Sequence, residues 1–302
     1  MILEKKNFFK LVKQKIKFFI FDAMVKEGNP IFVISNDSLS LKYQLEGEYE
    51  KYITFLTEYY SGKGFKNFFI DIGANIGISS CLGGKNFERI FCFEPNPFLV
   101  NVLKANLELF FPNQDYEVFN YGLGDEIGKF ETFIPKKNWG GAFINSKKNS
   151  YSQNILLEKD NFKSFDPKNF LTTEVEIRST QEVLKNLFNT FDTDKPNKGV
   201  IKIDVEGFEP LVLEGISKSL PKNFSVIIFF ENWNESLSFE YLKKNFKNRN
   251  IKIYKIESSI LDKSISRFWK VLLLFIGFKN YVYYRPVDKQ RSTRGDIVLE
   301  IS

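Results

Sequence analysis
The 302-residue chain carries a formal charge of +6 and 43% hydrophobic residues, 34 of them Phe, which suits one globular domain with additions or two small ones. Histidine is absent, so an imidazole base, a His-containing triad and a His-ligated metal are excluded. Two cysteines, Cys81 and Cys92, are too few for a thiolate zinc site or a disulfide framework and fit a reducing, cytoplasmic setting.

Residues 8–26 read as a helix ending near Gly28-Asn29-Pro30. Lys5, Lys6, Lys10, Lys13, Lys15 and Lys17 interrupt its apolar run, so neither a signal peptide nor a membrane span is expected. Such a helix packs on the domain or on a partner subunit, or lies on a membrane surface. Alternation over 31–45 predicts a hairpin turning at Asn36-Asp37. Glu48 to Tyr60 reads as a further helix, which makes 1–60 an N-terminal helix-and-hairpin extension to a domain over 61–302.

A different rhythm then begins. Phe68 to Ile72 and Ile90 to Glu94 are short, apolar runs ending in or near an acid, as expected of strands buried on both faces of a parallel sheet. Helix-length segments start near Gly77 and at Pro97, the second with Leu99, Leu103 and Leu107 on one face. Further strands are predicted at 116–120, 199–205, 225–231 and 251–256, with helices at 179–189, from Pro210, and at 239–248. This alternation predicts an α/β, doubly wound, mostly parallel sheet. Tyr281 to Arg285 and Asp296 to Ile301 read as late antiparallel edge strands, and 136–170, with Trp139-Gly140-Gly141, as a long loop insertion. The run Val271 to Phe275 is too short to span a bilayer.

Asp71-Ile72-Gly73-Ala74-Asn75-Ile76-Gly77 follows the first buried strand and opens a helix. Gly73 and Gly77 permit a sharp turn and close approach to a ligand. Glu94 ends the second strand, where a carboxylate can accept both hydroxyls of a ribose. Dinucleotide binding needs G-x-G-x-x-G so that pyrophosphate can touch backbone; here Asn75 replaces the close-approach glycine. The motif therefore favours a phosphate-free adenosine cofactor, S-adenosylmethionine, over NAD or an empty glycine-rich turn. Asn120-Tyr121-Gly122-Leu123-Gly124-Asp125 ends the third strand, beside an adenine; Asp125 is either an acceptor for its amino group or a turn former.

Lys202, Asp204 and Glu206 recur at period two around the end of the fourth predicted strand and point to one side of its carboxyl end. They are either a catalytic edge or a structural ion pair, and Glu231 ends the next strand facing the same crevice. Oxygen ligands alone do not establish a metal there, and none is assigned.

The pieces FFIDIGANIG (68–77), FCFEPNP (91–97), NYGLGD (120–125) and GVIKIDVEGFEPLVLEG (199–215) occur in order over roughly 65–235, and the chain resembles the FkbM family of methyltransferases. One piece departs from the family pattern: Arg178-Ser179-Thr180 stands where a Thr-Leu-Asp is usual. The resemblance implies a Rossmann-like class I methyltransferase sheet and transfer of a methyl group from S-adenosylmethionine, commonly to oxygen. By position it makes Asp71, Gly73, Asn75, Gly77, Glu94 and Asn96 cofactor residues. It places Asp204 and Glu206 by the transferring methyl.

A base must activate a hydroxyl acceptor, and without histidine Asp204 is the first candidate, Glu206 and Glu231 the alternates. The expected acceptor is a sugar, nucleotide-sugar or surface glycan, in a chain that is free or homo-oligomeric. A nucleic-acid methyltransferase is disfavoured, because the segment after the fourth predicted strand, Asp204-Val205-Glu206-Gly207, is acidic. A scaffold without activity is the remaining alternative.

Overall fold
A computed structural model describes residues 8–24, 29–47, 51–125, 127–144, 146–151, 165–192, 194–233, 237–258, 266, 269, 282–289 and 292–302. The run 271–275 and the middle of the 136–170 stretch lie outside them.

Among the described residues the central sheet has eight strands. Five run parallel: β1 (Phe68–Ile72), β2 (Arg89–Phe93), β3 (Asp115–Phe119), β8 (Asn197–Ile203) and β9 (Phe224–Asn232). Strands β10 (Ile251–Ser258), β11 (Val282–Pro286) and β12 (Gly295–Ile301) complete the order β11-β10-β12-β9-β8-β1-β2-β3. This is the α/β, mostly parallel sheet that the alternation predicts. The late strands differ from expectation in one respect: β11 is an edge, but β12 is inserted antiparallel between β9 and β10. Its burial explains the insertion, since Ile297, Val298, Leu299 and Ile301 are all buried and an edge strand would leave one side of its backbone unpaired.

Both faces of β1 are covered. Phe68, Ile70 and Ile72 pack against Leu184, Phe188, Val212, Leu213 and Ile216 of α6 (Thr180–Phe188) and α7 (Glu209–Ser219). Phe69 packs in the opposite layer with Leu56 of α3 (Lys51–Gly62) and with Leu103 and Leu107 of α5 (Pro97–Phe110). Each fully buried side chain of this size contributes ~1.5–3 kcal/mol. Period two puts Asp71 on the Phe69 face, inside the protein. Gly199 is fixed by this packing, because a Cβ there would overlap the Phe68 ring.

A second sheet, not expected from the sequence, is inserted after β3. It joins β4 (Gly122–Gly124), β5 (Gly128–Pro135), β6 (Phe143–Ile144) and β7 (Phe170–Ser179) in the order β4-β7-β5-β6. The loop predicted over 136–170 therefore holds a turn and β6 within its described part. Phe133, Phe143, Phe165 and Phe170 form the core of this sheet, with ring centroids 5.0–6.2 Å apart.

Among the described residues of the N-terminal segment, the regular structure is helical. Helix α1 (Phe8–Met24) matches the prediction within its described bounds. The hairpin does not form: 29–34 has no strand partner and 38–46 is α2 (Ser38–Glu46). Asp37, expected in a hairpin turn, is the N-cap and accepts from Ser40 N at 2.8 Å, while Gly47 closes the helix in the left-handed conformation. Ser40 and Tyr43, three residues apart, are its buried positions, so the apparent two-residue alternation yields to a helical period.

Candidate active site
The carboxyl ends of β1, β2, β8 and β9 open into one cleft, roofed by the second sheet and by the turn Asn138–Gly141. The chain leaves β1 through Gly73, Asn75 and Gly77, all with positive φ (84°, 53° and 86°). Gly73 lines the cleft, but its absolute requirement comes from inside the protein: a Cβ would overlap the backbone carbonyl of Asp204, so the ends of β1 and β8 touch here. Asn75 holds its left-handed conformation by accepting Ile76 N–H on its own Oδ1 at 2.7 Å. Gly77 caps α4 (Ile78–Gly83) and faces Leu103 of α5, away from the cleft.

Glu94 stands one residue beyond β2 and is 6% exposed. Its Oε2 accepts Asn75 N–H and its Oε1 accepts Asn96 N–H, each at 2.8 Å. A carboxylate offers about four lone-pair positions, so roughly two remain for a ligand. Burial pushes its carboxyl up to about 7, against the lowering effect of those two amides. Asn96 caps α5 by accepting Phe98 N–H at 3.0 Å, and its Nδ2 is buried without a protein partner in the cleft wall.

Lys202, on β8 and 6% exposed, is held 3.3 Å from Asp71 Oδ1 and 3.5 Å from Asp204 Oδ2. Asp71 is fully buried, does not line the cleft, and accepts Ser80 Oγ–H at 2.6 Å. Burial raises its carboxyl above the usual range, opposed by Lys202 and Ser80. Asp71 thus bears on the cleft through Lys202. Asp204 follows β8 with its side chain 34% exposed, the most accessible member of this trio. Glu206 is buried, lines the cleft and has φ +45°, a conformation that costs a non-glycine residue ~1–3 kcal/mol. Glu231 on β9 lines the same cleft and accepts the Trp233 indole N–H at 2.6 Å.

Lys202, Asp204, Glu206, Glu231, Gly73, Asn75, Glu94 and Asn96 are therefore brought together, and four more sequence candidates beside Asp71 lie off the cleft. Gly77 sits behind it. Asn120 is exposed and braces the carbonyls of Glu94 and Pro95 at 3.0 Å. The Gly124 carbonyl accepts the hydroxyl of Thr180, the last residue of the divergent Arg178-Ser179-Thr180 segment. Asp125 is exposed and pairs with Lys148 at 2.8 Å. In their place Gly122 and Leu123 reach the cleft.

Several lining residues carried no readable signal. Leu39 comes from α2, Thr132 from β5, and Ile144 and Ile177 from β6 and β7. Thr132 is 4% exposed and its hydroxyl has no protein partner. Trp139 both lines the cleft and anchors the turn: its backbone N–H donates to Asp37 Oδ1 at 2.9 Å and its ring meets Phe98 edge-on. Cys81 and Cys92 are buried free thiols, each pushed up by burial, so neither offers a thiolate. Among the described residues no helix is long and apolar enough to cross a membrane.

Among solved structures, the O-methyltransferase TomG of Streptomyces achromogenes, in complex with SAM, is 9% identical; the alignment covers 95% of this chain and 96% of that one, with a TM-score of 0.42. An O-methyltransferase from Bacillus cereus in complex with SAH is 11% identical over 100% of this chain and 94% of its own, with a TM-score of 0.39. The precorrin-6y C5,15-methyltransferase of Geobacter metallireducens gives 10%, 90%, 94% and 0.36 for the same quantities. At scores this low the three likenesses decide nothing about cofactor or acceptor. No curated protein matches the chain. The model of the methyltransferase FkbM domain matches residues 71–258, from the buried acid of β1 through the whole of β10, and the chain belongs to that family.

Proposed function
We propose that this S-adenosylmethionine-dependent methyltransferase transfers the methyl group to a hydroxyl oxygen of a neutral, polar acceptor such as a sugar. The observation that carries the reading is the charge of the cleft. Among the described residues, four carboxylates, Glu94, Asp204, Glu206 and Glu231, line it against one lysine, Lys202, although the chain as a whole is basic. That balance favours a cationic cofactor and disfavours phosphate at the reacting end. A nucleotide-sugar or nucleic-acid acceptor fits this end poorly.

The residues present fit the cofactor. Glu94 keeps acceptor capacity for ribose hydroxyls, and Asn96 Nδ2 is a buried donor without a protein partner in the same wall. Leu123, Ile177 and Phe208 supply an apolar stretch suited to a purine face. When bound, S-adenosylmethionine supplies an activated methyl group on a sulfonium. The chain's own work is then positioning, exclusion of water and handling one proton. Asp204 Oδ2 faces Lys202, so we assign the acceptor's hydroxyl proton to Asp204 Oδ1. Lys202 and the buried Asp71 hold that carboxylate in place.

Methyl transfer to a panel of neutral and phosphorylated sugars, followed by mass spectrometry, tests this reading. Neutral sugars should be methylated on oxygen, and Asp204→Asn should lower kcat by ~10²–10⁴-fold while leaving S-adenosylhomocysteine affinity within about threefold. Undiminished turnover by that variant removes Asp204 as the base, and methylation confined to phosphorylated or nucleic-acid acceptors overturns the acceptor class.

A further inference from the structure
Helix α1 spans Phe8–Met24, seventeen residues or about 25 Å of helix. Every side chain described on it is exposed, including Ile16 (53%), Phe19 (77%) and Ile20 (50%). A helix this apolar gains nothing from water, and short helices need an apolar surface to be stable. At about 100° per residue, Val12, Ile16, Phe19, Ile20 and Ala23 fall within an arc of about 100°. Of the described apolar residues only Phe18 falls elsewhere. Lys13 and Lys17 border one side of that arc and Lys15 the other, and all three are exposed. The one acid in the helix, Asp22, lies beyond Lys15.

An apolar strip flanked on both sides by lysines matches a helix lying in a lipid interface. The strip enters the acyl boundary while the long lysine stems carry their ammonium groups up to headgroup phosphates. Every lysine at its border attracts an anionic surface. No described helix is long and apolar enough to cross a membrane. We infer that α1 is an in-plane anchor that docks this enzyme on an anionic membrane surface. The anchor lies outside the matched residues 71–258, and none of its described residues lines the cleft.

The test uses the full chain and vesicles of phosphatidylcholine with and without phosphatidylglycerol, read by co-sedimentation. The protein should partition onto the phosphatidylglycerol vesicles and not onto neutral ones. Binding should weaken with added salt and fall about fivefold for each of Lys13→Gln and Lys17→Gln. Ile16→Glu with Phe19→Glu should abolish it, and calorimetric titration of the same variant with S-adenosylhomocysteine should show wild-type affinity, confirming an intact domain. Failure of the wild-type chain to sediment with anionic vesicles overturns the inference, as does binding that these substitutions leave unchanged. A dimer in light scattering that Ile16→Glu dissociates, without vesicle binding, assigns the strip to a second copy and also overturns it.

Discussion
At the scale of single residues, Glu94 carries most of the account. Its ordinary carboxyl value is 4.5 and the folded value is about 7. A raised value means that the protonated form stabilises the free protein at low pH, and this contribution is lost as pH rises through 7. Ribose hydroxyl donors prefer the ionised form, so ligand affinity runs the other way. Calorimetric titration with S-adenosylhomocysteine should show affinity falling by up to about tenfold per pH unit below 7. Glu94→Gln should flatten that profile, and an equal slope in both proteins would assign the titration to another group. Gly73 shows how a correct residue can be expected for an incomplete reason. Its motif position is legible in sequence as a ligand-facing turn, yet the atom that excludes a side chain is the Asp204 carbonyl, 131 residues away. Local spacing holds no record of such a contact.

At the scale of elements, the strands and helices of the parallel half were legible because each obeys one local rule. β1 and β2 are unbroken apolar runs, and α5 carries Asn96 and Pro97 at its start. The elements that were misread are those fixed by partners distant in sequence. β5 and β7 pair across the 136–170 insertion, and their alternation is broken by exposed neighbours Leu171 and Thr172 and by the buried, polar Thr132. The 31–45 segment alternates like a strand but is decided by capping. Asp37 joins α2 to the Trp139 turn through Ser40 N and Trp139 N. Asp37→Ala should cost about 1–2 kcal/mol in urea unfolding and, by loosening the cleft wall, weaken S-adenosylhomocysteine binding as well; unchanged ligand affinity would show that the turn does not shape the cleft. Asn106 on α5 accepts Phe32 N–H at 2.7 Å and donates to the carbonyls of Phe32 and Ile76 at 3.0 and 2.7 Å. It therefore ties the N-terminal segment to the glycine turn. Asn106→Ala should destabilise by at least about 1–3 kcal/mol, and a midpoint shift too small for one lost buried hydrogen bond would contradict that role.

At the scale of the whole molecule, charge is segregated. The sequence totals +6, while the described lining of the cleft gathers four carboxylates around one lysine. Net charge could not reveal this, because it depends on which carboxylates the topology brings to the ends of β2, β8 and β9. Within the central sheet the parallel half was readable, and the deviation there, β12 between β9 and β10, follows from burial on both sides of a late strand. The central claim is that this acid-lined cleft, gripped at Glu94, holds the adenosyl cofactor. The direct measurement is calorimetric titration of purified protein with S-adenosylhomocysteine at pH 8, wild type against Glu94→Ala. The account predicts one site per chain and a loss of about tenfold to a hundredfold in the variant, the equivalent of a charge-assisted hydrogen bond of ~1.5–3 kcal/mol. No binding by the wild type, or equal affinity in the two proteins, would contradict it.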